Sequence, residues 1–193
     1  MSTRRRRGLL PTLLLLIFFL PLLVAFLIYY GSNWRPAGHT NHGTLIEPAR
    51  ALPRIALPQV NAPGSADLLI GKWSLIYIGD GACDGPCRHT LYYIRQTQLG
   101  LGKQIPRVQR VWLAPDHCCD SSADTEMQPP LLSVNAQGAD GAALLSQFPA
   151  EHRESTIFIV DPRGNLMMRY DSNADPKGLR EDLKKLLDLS HIG

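Results

Sequence analysis

The uncharged, apolar stretch over residues 9–30 limits what this chain can form more than any other feature of its sequence. A helix needs roughly 20 consecutive apolar residues to cross the bilayer core, which is about 30 Å thick. The apolar core of a cleaved signal peptide is usually shorter, roughly 7–15 residues. The sequence therefore predicts one uncleaved transmembrane helix over residues 8–30.

The charges on either side of this stretch indicate its orientation. Four consecutive arginines occupy positions 4–7, directly before it. Because positively charged flanks stay on the cytoplasmic side of a membrane, residues 1–7 are predicted to be cytoplasmic. We therefore expect a single-pass protein of the inner membrane, whose soluble part faces the periplasm.

The rest of the chain has the size and charge of one ordinary globular domain. The net charge of the whole chain is +3, and the arginine cluster accounts for it, which argues against nucleic acid as a partner. Residues 31–64 contain five prolines and few periodic apolar positions, and they are predicted to form an extended tether. Residues 65–193 are then the folded domain.

Strand and helix patterns alternate along this domain. Short β-rich apolar runs predict strands, and longer amphipathic segments predict helices. Strands are expected at Trp73–Ile78, Val108–Ala114, Thr156–Val160 and 166–170, and helices at 87–99, 142–148 and from Pro176, with Asp175 as its cap. A strand–helix–strand crossover implies parallel pairing, and the last two strands read as a hairpin. The order predicts a thioredoxin-like α/β fold, a central mixed sheet with flanking helices.

The four cysteines form two clusters in the exported part, where free thiols are unusual. Cys83 and Cys87, in Cys-Asp-Gly-Pro-Cys, follow the first predicted strand and open the first helix. A helix N-terminus favours thiolate, the form that attacks disulfides and binds metals. We therefore expect an accessible, redox-active pair.

The spacing of Cys83 and Cys87 leaves three outcomes open. As residues i and i+4 on one helix face, the two sulfurs would converge on a soft metal ion such as Cu(I). If the intervening residues remain a loop, the same pair could close into a catalytic disulfide. The pair could also be a structural disulfide without turnover.

The segment that precedes these cysteines resembles a known family. Gly-Lys-Trp-Ser-Leu-Ile-Tyr-Ile-Gly, at 71–79, is similar to the Sco/SenC family, membrane-anchored thioredoxin-fold proteins that help assemble the copper centre of cytochrome c oxidase. The resemblance implies that Cys83 and Cys87 bind copper together with a distal histidine. His152 is the histidine closest in sequence to the position of that family ligand. The family usually has proline after each cysteine, whereas Asp84 and Arg88 stand here. The chain is therefore identified as a divergent member.

Cys118 and Cys119 form a second cluster, which follows the second predicted strand. Since that strand should lie beside the first, this cluster could approach the first pair. There it could relay electrons, resolve a mixed disulfide or add metal ligands. The alternatives are a disulfide to the first cluster or two surface thiols. Adjacent cysteines are not expected to bond to each other, because such a bond strains the peptide between them.

These observations support three hypotheses about function. The first is a Sco-like factor that handles Cu(I) or thiol–disulfide exchange in assembly of cytochrome c oxidase, with a respiratory oxidase subunit or another thiol protein as partner. The second is a metal-independent thiol–disulfide oxidoreductase. The third is a non-catalytic membrane accessory protein with structural disulfides. The position of the histidine relative to the cysteines distinguishes the first hypothesis from the second.

The predicted orientation can be tested with a topology reporter. A reporter that is active only outside the cytoplasm should be active when fused after Gly193, because the arginines at positions 4–7 hold the N-terminus inside. Replacing these arginines with glutamine should weaken the preference for a cytoplasmic N-terminus. Activity of a cytoplasm-specific reporter at the same position would contradict the predicted compartment.

Overall fold

In the N-terminal unit of the chain, Met1–Thr40, the described residues form one helix. The computed structural model describes residues 3–31, 41–60, 63–119, 130–190 and 192. Helix α1 is Thr3–Gly31, and its part Leu13–Gly31 is long and apolar enough to cross a membrane. Two prolines lie inside it without ending it, as membrane helices tolerate. The structure confirms an apolar helix here, and the orientation stays a prediction.

The second unit, Asn41–Gly193, is built on a six-stranded mixed sheet. The strands are β1 Thr44–Ala51, β2 Trp73–Ile78, β3 Val108–Ala114, β4 Leu131–Asn135, β5 Thr156–Val160 and β6 Asn165–Asp171. Their order across the sheet is β1-β6-β5-β2-β3-β4. β2, β3 and β4 are parallel, whereas β5 pairs antiparallel with both β2 and β6. The predicted crossover and hairpin are both confirmed.

Helices cover both faces of the sheet because residues of the central strands alternate between two apolar cores. The α-helices are α2 Gly85–Leu99, α3 Gly138–Leu145 and α4 Pro176–Leu189, and two short 3-10 helices span Gly102–Arg107 and Arg153–Ser155. Leu75 and Tyr77 belong to the core that contains residues of α2 and α4. Ile76 and Ile78 belong to the core that contains residues of α3. This arrangement is the predicted thioredoxin-like architecture.

Part of the predicted tether is a strand of the sheet. Residues 32–40, 61 and 62 lie outside the described part of the chain, but Thr44–Ala51 is the edge strand β1, paired antiparallel with β6. Pro48 lies within this strand, where the register shifts between Leu45 and Arg50. Proline is compatible with an edge strand at an irregularity, because no ladder hydrogen bond is needed there. The assignment of 31–64 to a tether is therefore wrong for β1, and the second unit begins at Asn41 rather than at 65.

The predicted strands also lack β4, the second edge strand. Three helix boundaries differ from the predictions, since α2 begins at Gly85 rather than at 87 and both ends of α3 are shifted. β4 is only five residues long, and its Leu-Leu-Ser-Val-Asn sequence has no clear period. Helix α3 spans Gly138–Leu145 instead of 142–148. Helix α4 begins as predicted, since the carboxylate of Asp175 accepts a hydrogen bond from the backbone N–H of Lys177.

One buried carboxylate fastens the start of the second unit to α4. Asp182 is 5% exposed and accepts hydrogen bonds from the backbone N–H groups of His42 (2.6 Å) and Gly43 (3.1 Å) and from the hydroxyl of Tyr170. Burial by itself would raise the pKa of Asp182, but these hydrogen bonds outweigh it and hold that pKa below its ordinary value. Burial and the bond to Asp182 raise the pKa of Tyr170.

Replacing this carboxylate should destabilise the second unit. Asp182→Asn removes the charge and presents an amide to three donors, so the free energy of unfolding should fall by about 2 kcal/mol. The folded-state pKa is lowered, so this stability is fully present above about pH 4 and is lost as the pH falls through the folded pKa. Urea unfolding of the full chain in detergent at neutral and acidic pH would measure both effects.

The exposed Asp188 on the same helix supplies a matched control, Asp188→Asn. Equal costs for the two variants at neutral pH would contradict this role of Asp182.

Candidate functional site

Cys83 and Cys87 lie between β2 and α2. After β2 the chain turns at Asp80, whose backbone carbonyl accepts a hydrogen bond from the N–H of Cys83 at 3.2 Å. Asp84 then caps α2, because its carboxylate accepts a hydrogen bond from the N–H of Cys87 at 3.0 Å. Pro86 lies in the first turn of the helix. The cap places Cys87 in that first turn and leaves Cys83 before the helix.

The structure joins Cys83 to Cys87 in a disulfide, with their Cα atoms 5.1 Å apart. Of the outcomes that the spacing left open, the structure shows a disulfide, and Cys83, whose φ of 43° is left-handed, precedes α2 instead of lying on its face. The expectation of an accessible pair also differs from the structure, since the two residues are 1% and 2% exposed. Both belong to the core on the α2 side of the sheet, so this core covers the sulfurs.

The second cluster follows β3 and forms its own disulfide. Cys118 and Cys119 bond to each other, contrary to the expectation for adjacent residues. Each sulfur of the first cluster is already bonded, so the second pair has only its own sulfurs to join within the described residues. Both residues are half-buried, and they pack against the core that contains Cys83 and Cys87. The structure therefore gives a buried inner disulfide and a half-buried outer one.

The two cysteine loops touch each other directly. The backbone N–H of Gly81 donates a hydrogen bond to the carbonyl of Asp116 at 2.9 Å. The imidazole Nδ1 of His117 lies 3.6 Å from the carboxylate of Asp80. Gly81 is needed at this contact, because a Cβ there would collide with the carbonyl oxygen of His117. The expectation that the end of the second predicted strand approaches the first cysteine loop agrees with this packing.

His152 lies in a third loop, at the end of the sheet where β2 ends and β5 begins. It directly precedes the short helix Arg153–Ser155, which leads into β5, and Ile157 of β5 pairs with Tyr77 near the end of β2. Its side chain is exposed, while its carbonyl accepts hydrogen bonds from the N–H of Ser155 (3.1 Å) and the hydroxyl of Thr156 (2.6 Å). The contacts of His152 are thus those of a turn residue.

The residues present do not form a complete ligand set for copper in this disulfide form. Two sulfurs bonded to each other are not thiolates, the soft ligands that favour Cu(I). Within the described ranges, no group of three or more His, Cys, Asp or Glu is arranged to hold a metal ion. The structure therefore does not bring His152 together with Cys83 and Cys87 as a ligand group.

Three residues in these loops have a left-handed backbone conformation, which is uncommon outside glycine. Among the described residues, positive φ at positions other than glycine occurs at Cys83 (43°), His117 (45°) and His152 (54°). Each of these residues lies in one of the three loops described above. Left-handed backbone is costly for such side chains, and it concentrates at functional sites where the surrounding structure enforces it.

A tyrosine and a polar hollow complete the surroundings of the inner disulfide. Tyr77, 2% exposed, belongs to the same core as the two cysteines. Burial, followed by the nearby charges of Asp84 and Glu154, raises the pKa of Tyr77 to about 12. Its phenol is therefore neutral at physiological pH. A hollow beside the first turn of α2 is lined by residues that include Pro86, His89, Glu154 and Ser155.

The comparisons with known proteins agree with this architecture. A family model described as a transmembrane-like, thioredoxin-like C-terminal domain matches residues 73–190. The chain belongs to this family. The match runs from the start of β2 to the end of α4 and includes both cysteine loops. No curated protein sequence matches the chain.

Solved Sco structures share the fold. Yeast Sco1 is 16% identical with a TM-score of 0.64, and the alignment covers 75% of this chain and 98% of that one. Copper-bound ScoI of Bradyrhizobium japonicum is 19% identical with a TM-score of 0.56, covering 71% and 99%. BsSco, in which a disulfide switch is identified, is 14% identical with a TM-score of 0.53, covering 75% and 99%. These likenesses confirm the Sco/SenC resemblance as a divergent one, at the level of fold.

The close approach at Gly81 gives a test of the loop packing. Gly81→Ala should lower the free energy of unfolding by about 2 kcal/mol, because the added methyl group forces the backbone of His117 away. Gly85→Ala is the matched control in the neighbouring turn, since nothing lies within 4 Å of its added Cβ, and its effect should be near zero. Thermal and denaturant unfolding of the full chain in detergent would measure both variants. If Gly81→Ala is as well tolerated as Gly85→Ala, the two loops do not pack as described.

Proposed function

We propose that this chain is a membrane-anchored, Sco-like thiol–disulfide exchange protein that acts outside the cytoplasm. The observation that carries the proposal is the disulfide between Cys83 and Cys87, closed across the start of α2 at the carboxyl end of β2. Functional groups of open α/β sheets collect at this end of the strands. A cysteine pair can cycle between a dithiol and a disulfide, which is the covalent change that thiol–disulfide exchange needs.

The exchange reaction uses both cysteines. A client thiolate attacks one sulfur of the disulfide and forms a mixed disulfide, and the other cysteine leaves as a thiolate. The second client thiolate then attacks the mixed disulfide, so the client becomes oxidised and Cys83 and Cys87 receive two electrons and two protons. Cys87, in the first turn of α2, meets the positive end of the helix dipole, which stabilises its thiolate.

The anchor and the relatives suggest where this reaction takes place. α1 and its arginines support a single-pass location in the inner membrane with the second unit in the periplasm, where disulfides persist. BsSco belongs to a family of cytochrome c oxidase assembly proteins. We therefore propose a respiratory oxidase subunit, or another thiol protein that serves its assembly, as the client.

A second candidate function is copper handling by the same cysteines. The observation that favours it is that ScoI of Bradyrhizobium japonicum and yeast Sco1 have been solved with copper bound. After reduction, Cys83 and Cys87 would offer two thiolates, and His152 would have to move to serve as a third ligand. Exchange starts from the disulfide that the structure contains, whereas copper binding needs a third ligand that the described residues do not place beside the cysteines, so the exchange function ranks first.

One preparation of the full chain in detergent distinguishes these functions. In buffers of graded redox potential, the disulfide between Cys83 and Cys87 should titrate as a two-electron couple within roughly −120 to −270 mV, the range of exchange proteins. Alkylation followed by mapping of the tryptic peptide 73–88 would report its state. A potential below about −300 mV would instead identify a structural disulfide, as in a non-catalytic accessory protein.

The same preparation, after complete reduction, tests the copper-handling function. If the second candidate is correct, the chain binds one Cu(I), and Cys83→Ser or Cys87→Ser abolishes binding, while His152→Ala weakens it. Uptake of no copper after complete reduction would remove the copper function and leave the exchange function intact.

A further inference from the structure

The two disulfides differ in their access to solvent. Cys83 and Cys87 are 1% and 2% exposed, so an external thiolate has almost no surface of these residues to attack. Thiol–disulfide exchange requires access to the sulfur that is attacked. Cys118 and Cys119 are half-buried and therefore present part of their surface to solvent. An external thiol thus meets the outer disulfide before the inner one.

The outer disulfide is also packed against the core that encloses the inner one. Cys118 and Cys119 contact the core cluster to which Cys83 and Cys87 belong. The hydrogen bond from Gly81 to Asp116 holds the two loops together a few residues before each pair. The two disulfides therefore lie in neighbouring loops that contact each other and pack on the same core.

We infer that the outer disulfide, Cys118–Cys119, relays electrons between external thiols and the buried disulfide Cys83–Cys87. The inference rests on the proposed exchange function and replaces direct attack by the client on the buried pair with a route through the outer pair. Clients or reductants of the dithiol class react with Cys118 or Cys119, and the inner pair reacts with the outer pair.

The relay balances as two consecutive exchanges. An external dithiol reduces the outer disulfide and is itself oxidised to a disulfide, leaving Cys118 and Cys119 as thiols. A thiolate of the outer pair then attacks one sulfur of the inner pair, forming a disulfide between the loops and releasing the other inner thiolate. The second outer thiolate attacks the outer sulfur of this bond, which restores Cys118–Cys119 and frees both inner thiols. Two electrons and two protons have passed from the external dithiol to the inner pair.

A kinetic comparison tests the relay in the full chain in detergent. Dithiothreitol is the external dithiol, and samples are alkylated at intervals and mapped by mass spectrometry. In the variant that combines Cys118→Ser and Cys119→Ser, reduction of Cys83–Cys87 should be at least about tenfold slower than in the wild type, because the exposed entry point is missing. In denaturant the two proteins should be reduced at equal rates, since both inner disulfides are then accessible.

Trapping supplies a second measurement that does not depend on rates. Cys118→Ser and Cys119→Ser, made singly, each leave one outer thiol that can attack but cannot complete the transfer. In at least one of these variants a disulfide should accumulate between the tryptic peptides 73–88 and 111–153, which carry the inner and outer pairs.

The outcomes separate failure of the relay from failure of the exchange function. If the double variant is reduced as fast as the wild type and neither single variant forms the bond between the loops, the relay is wrong, although exchange at the inner pair remains possible. If Cys83–Cys87 resists dithiothreitol in the folded wild type and in the double variant alike, both the relay and the proposed exchange function are wrong.

Discussion

The parallel pairing of β2 with β3 determines where all four cysteines lie. The register brings Ile78 opposite Leu113, so the two strands end level with each other. The loops that follow them therefore start side by side, and the hydrogen bond from Gly81 to Asp116 continues their contact beyond the sheet. In an antiparallel pair the two strands would end at opposite ends of the sheet. The loops that follow them would then be far apart, and the second cysteine cluster would have no access to the first.

Much of the fold follows from local sequence signals. The long apolar helix, the four β-rich runs and the Asp-Pro start of the last helix each agree with a single element type, and the structure confirms them. The two edge strands β1 and β4 carry no such signal. β1 contains Pro48, which normally argues against a strand, and its pairing with β6 is a long-range contact that local pattern does not encode.

The candidate site was predictable in its position and less so in its chemistry. Cys83 and Cys87 follow a strand and lie at the start of a helix as predicted, and the parallel pairing of β2 with β3 brings the second cluster near them. The pairing of the cysteines and the burial of the inner disulfide depend on how three loops pack, which sequence spacing does not fix. Gly81 could be recognised from sequence only as a strand breaker, whereas the structure shows it as the point where the loops meet.

The pairing of the four cysteines as two separate disulfides, each closed within its own loop, defines the candidate site at the ends of β2 and β3. Mass-spectrometric mapping of the native, alkylated full chain from membranes tests it most directly, because each pair lies on its own tryptic peptide. The structure predicts that oxidised protein yields peptides 73–88 and 111–153 separately, each lighter by two hydrogen atoms than its dithiol form. A single species that links the two peptides in the resting oxidised wild type would contradict this pairing.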